Sequence, residues 1–263
     1  MKNAQNVDYS SRSESFENWF QTPLGRRLLA DQRAFLEQRL NRLTGARQLQ
    51  VGISHRLPLA NGTDFSQKIM TTPSCFANIP DGVVVCDADE LPFPGDSIDL
   101  VVLHHTADFS PYPHQVLREA ARVLRGDGMI ALIGFNPVSL WGMRRLISRH
   151  NGGPWGGRFL SRGRMEDWLH LLDFQVETSL TRFYRLPFQR SGRKGTGVLG
   201  ERLSGYRFLP VGAYYCILAK KRVCARIPRR HVWRQSSVLG LSGTGTVGAA
   251  RGCSPQSRDH PEK

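Results

Sequence analysis

The stretch Val83–Pro137, VVVCDADELPFPGDSIDLVVLHHTADFSPYPHQVLREAARVLRGDGMIALIGFNP, decides how the rest of the chain is read. It holds three short apolar runs, Val83 to Val85, Ile98 to Leu103 and Met129 to Gly134, each bounded by Asp, Pro or Gly. Strands buried on both faces read this way, and such strands belong to parallel sheets. Between the second and third runs, Pro113 to Leu124 puts Val116, Leu117, Ala120, Ala121, Val123 and Leu124 on one helical face. Arg125-Gly126-Asp127-Gly128 then stops the helix with glycines. Strand, helix and strand at this length predict a βαβ unit with a right-handed crossover. Sheets of this kind bind ligands beyond the carboxyl ends of their strands. Asp87 to Asp89, His104 to Asp108 and Phe135 to Pro137 are therefore the positions to watch.

Outward from this unit, Thr22-Pro23 is a helix start, with Thr as N-cap and Pro at the first helical position. Leu24, Leu28, Leu29, Phe35, Leu36, Leu40 and Leu43 keep one apolar stripe until Gly45, and packing is the ordinary role for Trp19 and Phe20 before it. Gln48 to Val51 and Lys68 to Thr71 read as the first two strands. Ser139 to His150 reads as a basic amphipathic helix with Leu140, Trp141, Met143, Leu146 and Ile147 apolar: a lid, a membrane-surface helix or, most simply, a packed one. Asn151-Gly152-Gly153-Pro154 and Gly156-Gly157 read as a flexible link, Arg164 to Leu172 as a helix, and Phe174 to Thr181 and Ala213 to Ala219 as strands. Residues 190–205, rich in Gly, Arg and Lys, read as a loop between those two strands. The fold expected is α/β, a Rossmann-like, seven-stranded, mostly parallel sheet with helices on both faces and a C-terminal antiparallel hairpin.

Asp87-Ala88, Leu91-Pro92-Phe93, Asp99-Leu100-Val101-Val102, Leu117-Arg118-Glu119 and Arg122-Val123-Leu124 recur in this order over about fifty residues. The series resembles class I S-adenosylmethionine-dependent methyltransferases, most closely the type 11 group. The resemblance implies S-adenosylmethionine as cofactor and methyl transfer to an oxygen, nitrogen or carbon nucleophile. It implies that Asp87 accepts a hydrogen bond from the adenine amino group and that Ala88 supplies a neighbouring backbone donor. It places His104 on the cleft wall where the methyl group would face its acceptor. The family's loop after the first strand has an acid and three glycines. Here Gln50 stands for the acid, Gly52 for the first glycine and Ser54 for the second. The ribose-binding acid after the second strand is replaced by Thr72-Pro73. Each of its two charge-assisted hydrogen bonds is worth on the order of 1.5–3 kcal/mol, so this departure bears on affinity. No catalytic residue is assigned: a histidine here can act as a base, but alignment of donor and acceptor suffices for this chemistry. A metal pair is not expected, since adjacent histidines on a strand point to opposite faces. The base-amine motif N/D/S-P-P-aromatic is absent after the fourth strand, where His105-Thr106-Ala107-Asp108 stands.

The chain of 263 residues has 36 basic and 22 acidic side chains, for a net charge of +14. Residues 1–125 carry 13 basic and 14 acidic groups, and residues 126–263 carry 23 and 8. The basic field therefore belongs to the second half, where it serves solubility or draws nucleic acid or another anionic surface. Residues 220–263 hold ten basic and two acidic groups with Gly/Ser clusters. The organisation expected is a flexible start over 1–15, a methyltransferase-like domain over 16–221 and a disordered basic tail over 222–263. Five cysteines without a C-x-x-C pair predict a cytoplasmic setting with neither disulfide framework nor zinc site. The polar start and the lack of long apolar runs predict neither signal peptide nor transmembrane segment. A small-molecule acceptor is the leading expectation. The rivals are a non-catalytic module binding RNA or a protein partner, suggested by the altered loop, and an RNA methyltransferase, suggested by charge alone.

Overall fold

All seven residues of the strand Ile98–His104 are buried, because this strand lies at the centre of the sheet and is covered on both faces. The computed structural model describes residues 14–73, 79–147, 152–185, 187 and 212–222. Seven strands, β1 Thr44–Gly52, β2 Asp64–Thr72, β3 Val83–Val85, β4 Ile98–His104, β5 Leu124–Phe135, β6 Phe174–Arg182 and β7 Tyr214–Lys221, form one sheet in the order β3-β2-β1-β4-β5-β7-β6. β1 to β5 are parallel, and β7 runs antiparallel between β5 and β6. The expected doubly covered, mostly parallel sheet with an antiparallel end is what the chain forms.

The helices are α1 (14–20), α2 Pro23–Leu40, the short α3 Thr106–Phe109, α4 Pro113–Val123, α5 Leu140–Ile147 and α6 Arg162–Leu171. α4 and α6 cover one face, where Val116, Leu117, Ala120, Met165 and Leu169 meet Leu49, Val101, Ile130 and Ile217. α1, α2 and Trp141 of α5 cover the other, with Phe16, Phe20, Leu28, Leu36 and Leu40 against Leu100, Val102, Ile133 and Cys216. Thr22 caps α2 as expected, its Oγ1 accepting from the Gly25 N–H at 3.2 Å. The segment read as a flexible link is instead a packed 3-10 turn, Gly153–Gly156. Gly153, at φ +62°, lies so close to Trp19 that a Cβ would stand 3.0 Å from its ring. Its N–H donates to Ser15 Oγ at 2.9 Å. No helix among the described residues is long and apolar enough to cross a membrane. Residues 1–13 of the expected flexible start, the 190–205 loop and the tail beyond 222 lie outside the described residues.

The connection from β1 to β2, residues 53–63, contains no helix. A crossover between parallel strands ordinarily uses a helix to satisfy its own backbone. Two glutamines on one side of β1 do that work here. Gln50 Nε2 donates to Leu57 O at 2.8 Å, and Gln50 Oε1 accepts from the Leu59 N–H at 2.9 Å. Two residues earlier, Gln48 Nε2 donates to Ala60 O at 3.0 Å while its Oε1 accepts from the Thr63 hydroxyl. The loop's Leu57, Leu59 and Ala60 then pack into the core beside α2.

Candidate cofactor site

Four neighbouring strand ends make the site. Register pairs Gly52 with His104 and Val51 with Thr71, and the Cys86 N–H donates to Thr72 O at 3.1 Å. Asp87, Thr72, Gly52 and His104 therefore stand in one row at the carboxyl edge. Strands lie about 4.8 Å apart, so the row is roughly 15 Å long.

Gly52 is buried, and an added Cβ would meet His104, Ser54 and Gln50 at 3.8–3.9 Å, ordinary van der Waals contact. Nothing in the fold itself demands glycine there. Thr72 is buried, and its Oγ1 has no hydrogen-bond partner. A buried hydroxyl without a partner is costly, and this one closes β2 at the carboxyl edge of the sheet. Asp87 opens a turn closed by the Glu90 N–H donating to Asp87 O at 3.3 Å. Partial burial and the charges of Asp89 and Glu90 push its carboxyl above the ordinary 3.8. Ala88 packs against the α4 side of the core. The turn is held from behind by the residues that carried the sequence resemblance. Glu119 accepts from the Leu91 N–H at 3.1 Å, and Arg122 donates to Leu91 O and Phe93 O, both at 2.8 Å, while pairing with Glu119. Hydrogen bonding from Arg122 holds the Glu119 carboxyl below its ordinary value. Asp99, also part of that series, lies at the opposite edge and accepts from the Ala46 and Arg47 N–H groups at 2.8 and 2.7 Å. Its role is to fix the start of β1.

Gln50 and Ser54, expected in the loop that approaches the cofactor, have other engagements. Both ends of the Gln50 amide are bonded within the 57–59 loop. Ser54 is buried, and its Oγ accepts from the Arg56 N–H at 3.1 Å.

His104 lies beneath α1 and α2, fully enclosed with His105. The expectation that the two rings point to opposite faces is corrected by the structure. β4 ends at His104, and His105 adopts φ 54°, ψ 12°, which swings its ring back so that the centroids are 4.9 Å apart. Both then meet one side chain of α2. His104 Nε2 donates to Gln32 Oε1 at 3.1 Å, and Gln32 Nε2 donates to His105 Nε2 at 2.9 Å. With the amide in this orientation His105 carries its proton on Nδ1, which donates to Asp108 Oδ2 at 2.9 Å. The same oxygen accepts from the Phe135 N–H at 2.9 Å. Thr106 ties this turn to β1 by donating to Val51 O at 2.7 Å. Burial lowers both imidazoles, His105 to about 3, and the neighbouring His105 and Arg33 lower His104 further. Burial acts the other way on Asp108 and raises its carboxyl. Phe16, Phe20 and Phe135 pack around the rings at centroid distances of 4.0–5.6 Å. The network occupies His104 Nε2 and both ring nitrogens of His105.

Gln32 was not singled out from sequence, yet it has a signal there. It fills a position of the stripe Leu28, Leu29, Gln32, Phe35, Leu36 where periodicity calls for an apolar residue. A buried amide in such a place must have partners. Beside it, Asp31 accepts from Arg182 Nη2 at 3.1 Å and from the Tyr214 hydroxyl at 2.6 Å.

A cavity of about 510 Å³ opens between the 87–90 turn, the loop before α4 and the start of α6. Asp89, Tyr112, His114, Arg158, Arg164 and Trp168 are among its walls, with the His114 and Trp168 rings 3.6 Å apart.

Comparison with known proteins agrees with this geometry. Residues 48–132 match the family described as a methyltransferase domain, type 11. An uncharacterised protein of Escherichia coli (strain K12), YafS, is 36% identical over 140 residues, 53% of this chain and 55% of that protein, so the match spans about half of its length. A Thermotoga maritima protein described as a SAM-dependent methyltransferase, possible histamine N-methyltransferase, superposes with a TM-score of 0.56 at 18% identity, over 82% of this chain and 99% of its own. The Haloferax volcanii putative methyltransferase solved in complex with the Trm112 methyltransferase activator gives a TM-score of 0.56 at 14% identity, over 81% and 98%. Strand order and the superpositions give this chain the fold of class I S-adenosylmethionine-dependent methyltransferases, and its segment 48–132 matches the type 11 methyltransferase domain.

Proposed function

We propose that the chain transfers a methyl group from S-adenosylmethionine to a small-molecule acceptor. The observation that carries the proposal is the row Asp87, Thr72, Gly52 and His104 along the carboxyl edge of a sheet ordered β3-β2-β1-β4-β5-β7-β6. When bound, S-adenosylmethionine supplies an electrophilic methyl group on a sulfonium. Asp87 would accept from the adenine amino group, beside the Ala88 backbone. The partnerless Thr72 hydroxyl would face the ribose, and Gly52, which carries no side chain, would stand next to it in the row. With both imidazoles bonded to Gln32, the chain's own contribution is to position reactants and exclude water. A cavity of about 510 Å³ beside the 87–90 turn supports a small acceptor, since this volume lies within the usual range for small-molecule sites. A cytoplasmic setting belongs to the same proposal, supported by the free thiols of Cys86 and Cys216.

A second reading, a non-catalytic binding module, is favoured by one observation: Gln50 is occupied by the loop and no carboxylate stands at Thr72. Calorimetric titration with S-adenosylmethionine separates the two. The enzyme reading expects saturable heat that falls about tenfold or more in affinity for Asp87→Ala, a single charge-assisted hydrogen bond. Absence of heat at millimolar ligand would reject it.

A further inference from the structure

We propose that α5 and the arginine-rich segment after it form a docking surface for an anionic lipid bilayer, at the same edge of the sheet as the cofactor site. α5 packs by one narrow face. Trp141 is buried and its Nε1 donates to Arg185 O at 2.8 Å. Gly142 lies so close to the chain before the helix that a Cβ would collide with Pro137 O. Arg144 stacks over Trp155 at 4.8 Å and Arg145 over Phe159 at 5.4 Å. These contacts fix the rotation of the helix, and the arc turned away from the protein is aliphatic. Leu146 is 81% exposed, Ile147 77%, Val138 64% and Met143 51%, with Leu140 at 40% beside them. The simplest expectation, a packed helix, is thereby corrected in part: Trp141 packs inward, whereas Leu140, Met143, Leu146 and Ile147 face solvent.

Scattered exposed aliphatic side chains are ordinary; five within ten residues, four on one side of a pinned helix and Val138 just before it, mark an interaction surface. Charge identifies the occupant. From Gly128 to Met165 the chain has six arginines and not one aspartate or glutamate. Arg158 and Arg164 are exposed, as is Arg162, which pairs with Glu166 at 3.4 Å, in the segment that α5 touches through Trp155 and Phe159. Aliphatic residues that protrude among cations are what an interfacial helix presents to anionic headgroups: the chains enter the acyl boundary while the guanidinium groups stay at phosphate level. α5 follows β5 directly at its carboxyl end, so a bilayer bound there would lie beside the strand ends that carry Gly52 and Asp87. The inference stands apart from the proposed activity, because lipid binding involves none of the residues assigned to the cofactor.

The full chain is sedimented with vesicles of phosphatidylcholine containing about 30 mol% phosphatidylglycerol, and with vesicles of phosphatidylcholine alone. It is expected to bind the first and not the second. Leu146→Asp combined with Ile147→Asp is expected to weaken binding about tenfold or more. Thermal melting should be unchanged, since both side chains are already in water. The milder pair Leu146→Ser and Ile147→Ser should follow in the same direction and covers the case in which the carboxylates disturb the fold. Failure of the unmodified chain to bind anionic vesicles overturns the proposal. So does undiminished binding by both pairs, which would assign the attraction to basic groups elsewhere. If the substitutions dissociate a dimer in lipid-free solution and leave vesicle binding untouched, the face joins two copies of the chain, and the lipid assignment is wrong.

Discussion

Replacing Gln32 by leucine tests the network beneath the N-terminal helices. The side chain is fully buried, and its amide serves His104 Nε2 at 3.1 Å and His105 Nε2 at 2.9 Å. Leucine fills similar space but offers neither partner, so one imidazole N–H and one lone pair remain unsatisfied in a dry environment. Each stranded group costs about 1–3 kcal/mol, and the loss expected from denaturant unfolding is roughly 2–5 kcal/mol with an unchanged m value. A cycle with His104→Phe sharpens the test. With the His104 nitrogen gone, Gln32→Leu strands one group instead of two, and the pair should couple by about 1–2 kcal/mol. Circular dichroism before unfolding establishes that both variants start folded. A loss below about 0.5 kcal/mol, the range of surface substitutions, would refute the reasoning, as would strict additivity in the cycle.

Gln50→Leu should destabilise by about 2–4 kcal/mol by stranding Leu57 O and the Leu59 N–H. Gln50→Glu, which keeps the acceptor and loses the donor, should fall between; a neutral result for leucine in the same unfolding assay would contradict the stapled loop. Because burial lowers both His104 and His105 from 6.5, the unfolded chain takes up protons that the folded chain refuses. Their contribution to stability is complete above that value and is lost as pH falls toward about 3 for His105. Asp108, raised from 3.8, works in the opposite sense. One proton's worth remains, about 1.4 kcal/mol per pH unit, so unfolding midpoints should drop on acidification below neutrality, and His104→Phe should flatten the slope; a level profile for the unmodified chain would contradict this. The Tyr215 hydroxyl is buried without a partner. Tyr215→Phe should therefore raise the melting temperature, by about 1 kcal/mol of stability; a lowered value would mean that the hydroxyl has a use.

Much of the architecture could be read before any coordinates. The runs at Val83, Ile98 and Met129 became β3, β4 and β5, and the stripe after Pro113 became α4, because both faces of a central strand and one face of a covering helix leave simple patterns. The series from Leu91 to Leu124 was legible as a resemblance, and its physical meaning is support: Glu119 and Arg122 hold the turn that presents Asp87. What escaped sequence reading depended on contacts between distant residues. Alignment placed Gln50 beside the cofactor, whereas its amide is bonded nine residues ahead in a helix-free crossover that periodicity cannot reveal. The two histidines were read as an uninterrupted strand, and a single left-handed residue, His105, reversed the conclusion. For α5 the pattern gave a face but not its direction, which Trp141 and Gly142 decide.

The anchoring of α2 bears on how the protein emerges from a ribosome. Asp31 must wait for Arg182, 151 residues later, and for Tyr214, 183 residues later. At about 5–20 residues per second this interval lasts roughly 10 to 40 s. Throughout it, a helix whose leucines and phenylalanines belong under the sheet has no sheet to cover. The earliest part of the chain to be made is thus among the last to be seated, and in the meantime it is a natural client for chaperones.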